Sequence, residues 1–377
     1  MKTQLGKNMR RVLKSGWVAI ATFVGIFGLA APARAVDLNQ WIEPVKGFGP
    51  EGHGYEKAIP AIKRLSAEPP ASIPGILKGM NGANRLAENW LRSAVEASAD
   101  KGPLPVAEIR KFLDNRKNSQ RARRLAFELL TEAEPDRKNA MLVEMLDDPS
   151  LEIRRDAVEL ELSKVREASA KADRIRGFRT ALVHAREIQQ IKSIAEALSE
   201  LGEEVDLTRH FGMVMNWHLI GPFPNKDQAR FDAVDPPEKK IDLSASYEGE
   251  LGKVSWISHQ STEDEGIVDL NKALSNHKGA IAYAFAEFVS AADQEVDVRL
   301  GCINANKVWV NGELIISNNV YHAGMNLDQY IGKARLKSGT NRILIKVCQN
   351  EQKEAWAQRW QFQFRISDAT GKAIVSK

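Results

Sequence analysis

The chain has 377 residues, 43% hydrophobic and 27% charged, with 53 basic and 49 acidic side chains for a net charge of +4. Six of the basic residues and none of the acidic ones fall within residues 1–35, so the rest carries 47 basic against 49 acidic side chains, and no large sequence-independent affinity for nucleic acid follows. The two cysteines, Cys302 and Cys348, are too few for a disulfide scaffold or a four-thiolate zinc site, so the fold must rest on its own core, and the length allows two domains.

Residues 1–35 read as a signal peptide. Lys2, Lys7, Arg10, Arg11 and Lys14 form a basic start, Trp17–Ala31 an apolar run, and Ala33-Arg34-Ala35 a small-x-small cleavage site after Pro32. The alternative is an uncleaved anchor. With cleavage the mature chain begins at Val36, is exported to periplasm, cell surface or medium, and meets membrane only during export. Residues 36–55 form a Gly-rich lead-in. Gly47, Gly49 and Gly52 satisfy G-x-G-x-x-G literally. A dinucleotide site also needs a preceding strand and a βαβ unit; here Pro50 interrupts the loop and helical spacing follows, so no nucleotide cofactor is implied.

Residues 56–210 have helical spacing and repeat. Arg85-Leu86-Ala87 recurs as Arg124-Leu125-Ala126, and Arg123-Arg124-Leu125-Ala126 recurs as Arg154-Arg155-Asp156-Ala157. A further helix is expected over Arg137–Leu146, closed by Asp147-Asp148-Pro149, and two more over Ala168–Val183 and Ala185–Leu201. Ser119 and Ser150 stand where N-caps belong. Helix pairs burying one face against the next make a solenoid, and the form D-x-S-x-x-x-R-x-x-A (Asp148, Ser150, Arg154, Ala157) resembles the HEAT repeat. The Arg/Glu-dense faces read as a solvated surface with i,i+4 pairs. Such a surface could bind protein partners.

Helical spacing stops near Glu203–Phe211, and residues 211–377 read as an antiparallel β-sandwich of jelly-roll type, so the chain as a whole is multidomain α + β. Strands are expected at Trp217–Ile220, Val254–Ile257, Ala280–Phe288, Val296–Leu300, Lys307–Ile316 (with Asn311-Gly312 as a turn inside it), Gln329–Ile331, Asn341–Val347 and Gln361–Ile366. Alternation in the Lys307–Ile316 hairpin points Trp309 inward. In QFQFRI, Phe362, Phe364 and Ile366 share a buried face and Gln361, Gln363 and Arg365 an open one.

No metal or catalytic constellation emerges. The seven histidines make no H-x-x-x-H or H-E-x-x-H pair, no serine lies in a G-x-S-x-G elbow, and no pair of carboxylates stands out. His210 and His218 flank the domain junction, where interdomain hydrogen bonding is expected. Cys302 and Cys348 close two strands and either bridge or remain buried thiols. The loop tips collect the groups that recognise sugars, planar amides and carboxylates with aromatic rings for C–H faces: Asn304, Asn306, Asn318, Asn319, His322, Asp328, Gln349, Asn350, Trp356 and Trp360. For Trp356 and Trp360 the alternative is packing of one helical turn onto the sandwich.

The segments VDVRLG, KVWVNGELI and LKSGTNRILIKV, with the final aromatic strand, resemble the galactose-binding-like jelly roll that serves as a sugar-binding domain beside glycoside hydrolases. That likeness covers residues 280–370 best. The helical half joined to WHLIGPF and VCQNEQ looks like exported proteins of planctomycete-type bacteria, a resemblance that carries no activity. It implies a carbohydrate-binding or adhesive module. The expectation is a non-enzymatic exported protein that binds carbohydrate through the β-sandwich, or alternatively a scaffold that binds protein through its helical surface.

Overall fold

The computed structural model describes residues 37–377, and the leader expected over residues 1–35 lies outside them. Eleven helices come first: α1 (Asn39–Lys46), α2 (Tyr55–Ala67), α3 (Ile73–Gly79), α4 (Arg85–Ala99), α5 (Val106–Asp114), α6 (Gln120–Ala133), α7 (Lys138–Leu142), α8 (Leu151–Glu167), α9 (Lys171–His184), α10 (Ile188–Glu200) and α11 (Leu207–Phe211). Their buried faces follow the apolar spacing. In α4 these are Ala87, Leu91, Ala94, Val95 and Ser98, and in α6 Ala122, Leu125, Ala126, Leu129 and Leu130. One apolar cluster runs from Ile42 to Ala157, and a second, built on α8–α11, runs from Val158 to Met213.

The helix expected over Arg137–Leu146 is shorter, a 3₁₀ turn at Pro135–Arg137 followed by α7. The chain beyond it turns in around a buried ion pair. Arg123, 1% exposed, donates to both carboxylate oxygens of Asp148 at 2.5 and 2.6 Å and from Nε to the Leu113 carbonyl at 2.9 Å. Asp148 Oδ1 also accepts the Ser150 N–H at 2.8 Å, and the Asp148 carbonyl accepts Arg154 Nε at 2.8 Å. The Asp148-x-Ser150-x-x-x-Arg154 pattern is thus the sequence trace of a staple joining α5, α6 and α8. Ser119 and Ser150 do take the N-cap positions, but neither side chain caps. Their own N–H groups donate to Asn81 Oδ1 and Asp148 Oδ1 instead.

Twelve strands follow, all antiparallel: β1 (Asn216–Pro224), β2 (Ser246–Gly249), β3 (Gly252–Ser255), β4 (Ile257–Gln260), β5 (Val268–Asp269), β6 (Ala280–Ser290), β7 (Gln294–Cys302), β8 (Ala305–Val310), β9 (Glu313–Asn318), β10 (Tyr330–Leu336), β11 (Gly339–Cys348) and β12 (Gln361–Ser367), with the short helices α12 (Pro236–Lys239) and α13 (Leu270–Leu274) between them. A six-stranded sheet, β4-β1-β6-β11-β8-β9, packs on a four-stranded one, β10-β7-β12-β5. Between them Trp217, 2% exposed, sets its ring edge-on to Phe362 and Phe364, at 5.2 and 5.9 Å. The hairpin signal is realised: Asn311 (φ 54°) and Gly312 (φ 86°) are both left-handed, as a type I′ turn requires.

The outer face of the six-stranded sheet is covered too, which the strand reading did not anticipate. In β6, Ala282, Ala284 and Ala286 face the sandwich core, while Ile281, Tyr283 and Phe285 face outward into a second cluster with Phe231, Ile241, Tyr247 and Val254. Residues 225–245 and the β2–β3 hairpin form this third layer. Trp309 belongs to it. Val308 and Val310 point into the sandwich, so Trp309 between them points out, opposite to the inward orientation expected. Likewise Gln363 and Arg365, expected on an open face, are 3% and 4% exposed, because α11 and residues 211–214 close over β12.

Replacing Asp148 by alanine strands Arg123 without a counter-charge in the core and is expected to remove about 3–5 kcal/mol of stability, read from urea denaturation followed by circular dichroism. A loss below about 1 kcal/mol, the worth of an exposed pair, would contradict the staple.

Candidate functional site

The residues expected at the loop tips do converge at one end of the sandwich, but mostly as internal ties. Asn304 (0% exposed) donates from Nδ2 to Gln349 Oε1 at 3.0 Å, and Gln349, equally buried, donates to the His277 carbonyl at 3.1 Å. Asn306 donates to the Asn304 carbonyl and receives Asn318 Nδ2 at 3.0 Å. Asn350 Oδ1 pairs with His322 Nε2 at 3.0 Å and receives the Gln352 N–H. These amides cross-link four loops, and with Asn304, Asn306, Gln349 and Asn350 at 3% exposure or less they offer little to a ligand. Apart from Asn304 Oδ1, which is buried without a partner among the described residues, their amide groups are used in this way and specify loop geometry.

Trp356 and Trp360 separate. A 3₁₀ turn at Ala355–Ala357 that does not continue as a helix places them apart: Trp360 is fully buried and donates to the Val347 carbonyl at 3.3 Å, whereas Trp356 is 59% exposed and meets His322 edge to face at 5.0 Å. Of the expected set at that end, Trp356 and Asn319 remain exposed and Asn318 and His322 half-exposed. Asp328 lies elsewhere, clasped between Arg299 Nη1 at 2.8 Å and Arg365 Nε at 2.7 Å, while Arg365 Nη1 reaches the Phe211 carbonyl at 3.2 Å. It is therefore part of the junction between the two halves. The bridge weighed for Cys302 and Cys348 is not formed; they end β7 and β11 in different sheets, are both free and fully buried, and Cys302 Sγ donates to the Asn304 carbonyl.

A cleft of about 790 Å³ opens on the outer face of the six-stranded sheet instead. Its floor is set by register. Trp309, Leu344 and Phe285 stand opposite one another in turn across β8, β11 and β6 and line it, with Leu314 on β9 and His218 on β1 extending the row beyond the cleft, and half-buried Trp309 is accessible in it. The next row along the same face, two residues further on these strands, carries Arg342 opposite Glu287. Both are exposed, and among the described residues they form no ion pair with each other within 4 Å.

Both walls are held from behind. On one side Asn341 (0% exposed) accepts from Asn311 Nδ2 and the Lys337 N–H, each at 2.8 Å, and donates to the Lys337 carbonyl at 2.8 Å, while Asn311 Oδ1 receives the Arg342 N–H at 2.9 Å. On the other, α12 is anchored by Lys346, which has no exposed side-chain surface and donates to the carbonyls of Arg230 and Ala233 and to Glu238 Oε1 at 3.0 Å. Tyr283 donates to Asp235 at 3.0 Å; burial and these carboxylates push its phenol far above the usual range. Such fixing of backbone lets a site meet a ligand with little ordering cost. What the sequence offered as a signal for this site was Trp309 lying between two inward valines. Among the described residues no cluster of three or more His, Cys, Asp or Glu side chains could hold a metal.

No family model matches the chain, and no curated protein matches it. Among solved structures it is similar to an anti-sigma factor domain-containing protein from Clostridium clariflavum (12% identity over 44% of this chain and 45% of that one, TM-score 0.23), to a β-glucosidase from Kluyveromyces marxianus (13%, 46% and 22%, 0.28) and to a β-glucuronidase from an uncultured Clostridium species (10%, 42% and 29%, 0.24). The chain spans less than half the length of each, and likenesses this slight carry no argument about activity.

Two outcomes follow from the burial. The Cys302 and Cys348 thiols are pushed up to about 12 by their surroundings, so neither should alkylate in the native protein and both should do so in denaturant without reductant; labelling only after reduction would establish a bridge. At the junction, burial and the charges of Arg186 and Arg365 depress His210, while at Asp328 burial, which alone would raise its carboxyl, is outweighed by Arg365 and Arg299. With both folded values below the unfolded ones, each group's stabilisation is present above about 6.5 and about 3.9 respectively and is lost as pH falls through the folded value. Urea midpoints should decline in two stages on acidification, the first absent in His210→Gln; a flat profile between about pH 7 and about pH 5 would sink the first stage.

Proposed function

We propose that this protein is a non-catalytic, exported carbohydrate-binding protein that takes a saccharide chain in the Trp309 cleft of its β-sandwich. The observation that carries the reading is a half-buried indole on the floor of an open cleft, beside an arginine and a carboxylate left free of each other. Sugar rings present an apolar C–H face that an aromatic ring covers, and paired hydroxyls that a guanidinium and a carboxylate satisfy from either side. The walls are braced by the Asn311–Asn341 amides and by the Lys346 anchor, which suits recognition of a rigid ligand.

The exposed Trp356 beside His322 is the competing platform, and substitution separates the two. The full chain is titrated against a panel of soluble neutral and charged polysaccharides by calorimetry and affinity electrophoresis. Trp309→Leu, which keeps apolar volume in the floor, should weaken binding roughly tenfold, about 1.4 kcal/mol, while Trp356→Ala leaves it within about twofold. The reverse pattern would move the site to the loop end, and binding to no polysaccharide would end the carbohydrate reading.

A further inference from the structure

We propose that the glycan taken by this cleft is anionic, a chain bearing carboxylates or sulfates, an inference that rests on the cleft being the saccharide site. The two walls carry Lys239 and Lys240 on one side and Lys337 and Arg342 on the other, against two carboxylates, Glu238 and Glu287. Glu238 is already committed, accepting from Lys346 at 3.0 Å and from Tyr283 at 2.5 Å. Lys240 lies 3.7 Å from Asp242. The remaining three cations, Lys239, Lys337 and Arg342, have no carboxylate within 4 Å among the described residues, and all three are exposed. Glu287 is the one uncommitted acid of the lining.

This surplus is local. Residues 36–377 carry nearly equal numbers of basic and acidic side chains, so a cleft with a positive group on each wall is a departure from the whole. The placement is also fixed. Lys337 is held through both its N–H and its carbonyl by Asn341, Arg342 through its N–H by Asn311, and Lys239 ends a helix whose capping box, Asp235 with Glu238, is tied down to β6 and β11. Each exposed cation alone contributes little. Three of them facing one polymer act together, because a chain engaged by one charge presents its next anion to the others at high effective concentration.

The test uses matched pairs that differ in charge alone: polygalacturonate against its methyl ester, and dextran sulfate against dextran. The anionic member should bind at least roughly tenfold tighter, weaken as NaCl rises from roughly 50 to roughly 500 mM, and lose roughly tenfold to a hundredfold in the triple variant Lys239→Gln, Lys337→Gln, Arg342→Gln with its melting temperature unchanged. Which pair responds tells carboxylate from sulfate. Equal binding of the neutral members, abolished by Trp309→Leu, overturns the inference and leaves the saccharide cleft standing. Anionic binding indifferent to Trp309→Leu, or matched by duplex DNA, means unspecific polyanion capture and overturns both, as does binding of neither pair.

Discussion

The β-half is organised around a lysine with no exposed surface. Lys346 lies near the C-terminal end of β11, on the face of the six-stranded sheet that a two-layer sandwich would leave to water. An ammonium there is tolerable only with partners for its protons, and it finds three: the carbonyls of Arg230 and Ala233 and the carboxylate of Glu238. All three belong to the strap over residues 225–245. The need of one buried charge therefore ties an otherwise irregular segment to the sheet. A pair of this kind adds little net stability compared with an apolar replacement; its contribution is position. With the strap tied, Phe231 and Ile241 cover Tyr283 and Phe285, and α12 becomes the wall of the cleft.

The same solution recurs twice. Asp148 holds Arg123 and orders the chain between α7 and α8, and Asp328 holds Arg299 and Arg365 where β12 meets α11. In each case a carboxylate meets a planar guanidinium through two oxygens, a geometry that specifies orientation as well as contact. At Asp328 this matters for the whole chain, since Arg365 also binds the Phe211 carbonyl and so links the helical cores to the sandwich.

Much of the architecture was legible beforehand. The helices around Arg85, Arg124 and Arg154, the strands from β6 to β12, and the left-handed turn at Asn311-Gly312 all emerged near their expected places. The site was less so. Asn304, Asn306, Gln349 and Asn350 have the chemistry of sugar ligands, but the same hydrogen-bonding capacity is what buried loop turns require, and the loops consumed all of it but Asn304 Oδ1. The alternation expected along Lys307–Ile316 had the wrong phase, placing Trp309 inward when its neighbours Val308 and Val310 take that face. Its parity along the strand, opposite to Val308 and Val310, carried the truer signal. In the sequence the strap shows only as the turn-forming run Asp235-Pro236-Pro237, since nothing local shows that it folds onto Lys346.

What the sequence determined by itself depends on neighbours along the chain: where helices and strands run, where the chain turns, and which residues of a strand share a face. These follow from short-range backbone and side-chain sterics and from apolar spacing, which a local window contains. Only the tertiary structure decided what lies on each face: that the outer side of β6, β8 and β11 is half roofed, that the roof stops beside Trp309, and that Asp328 answers two arginines from other strands. Burial and charge pairing join residues more than a hundred positions apart, as Glu238 and Lys346 are, and no local pattern encodes such a meeting.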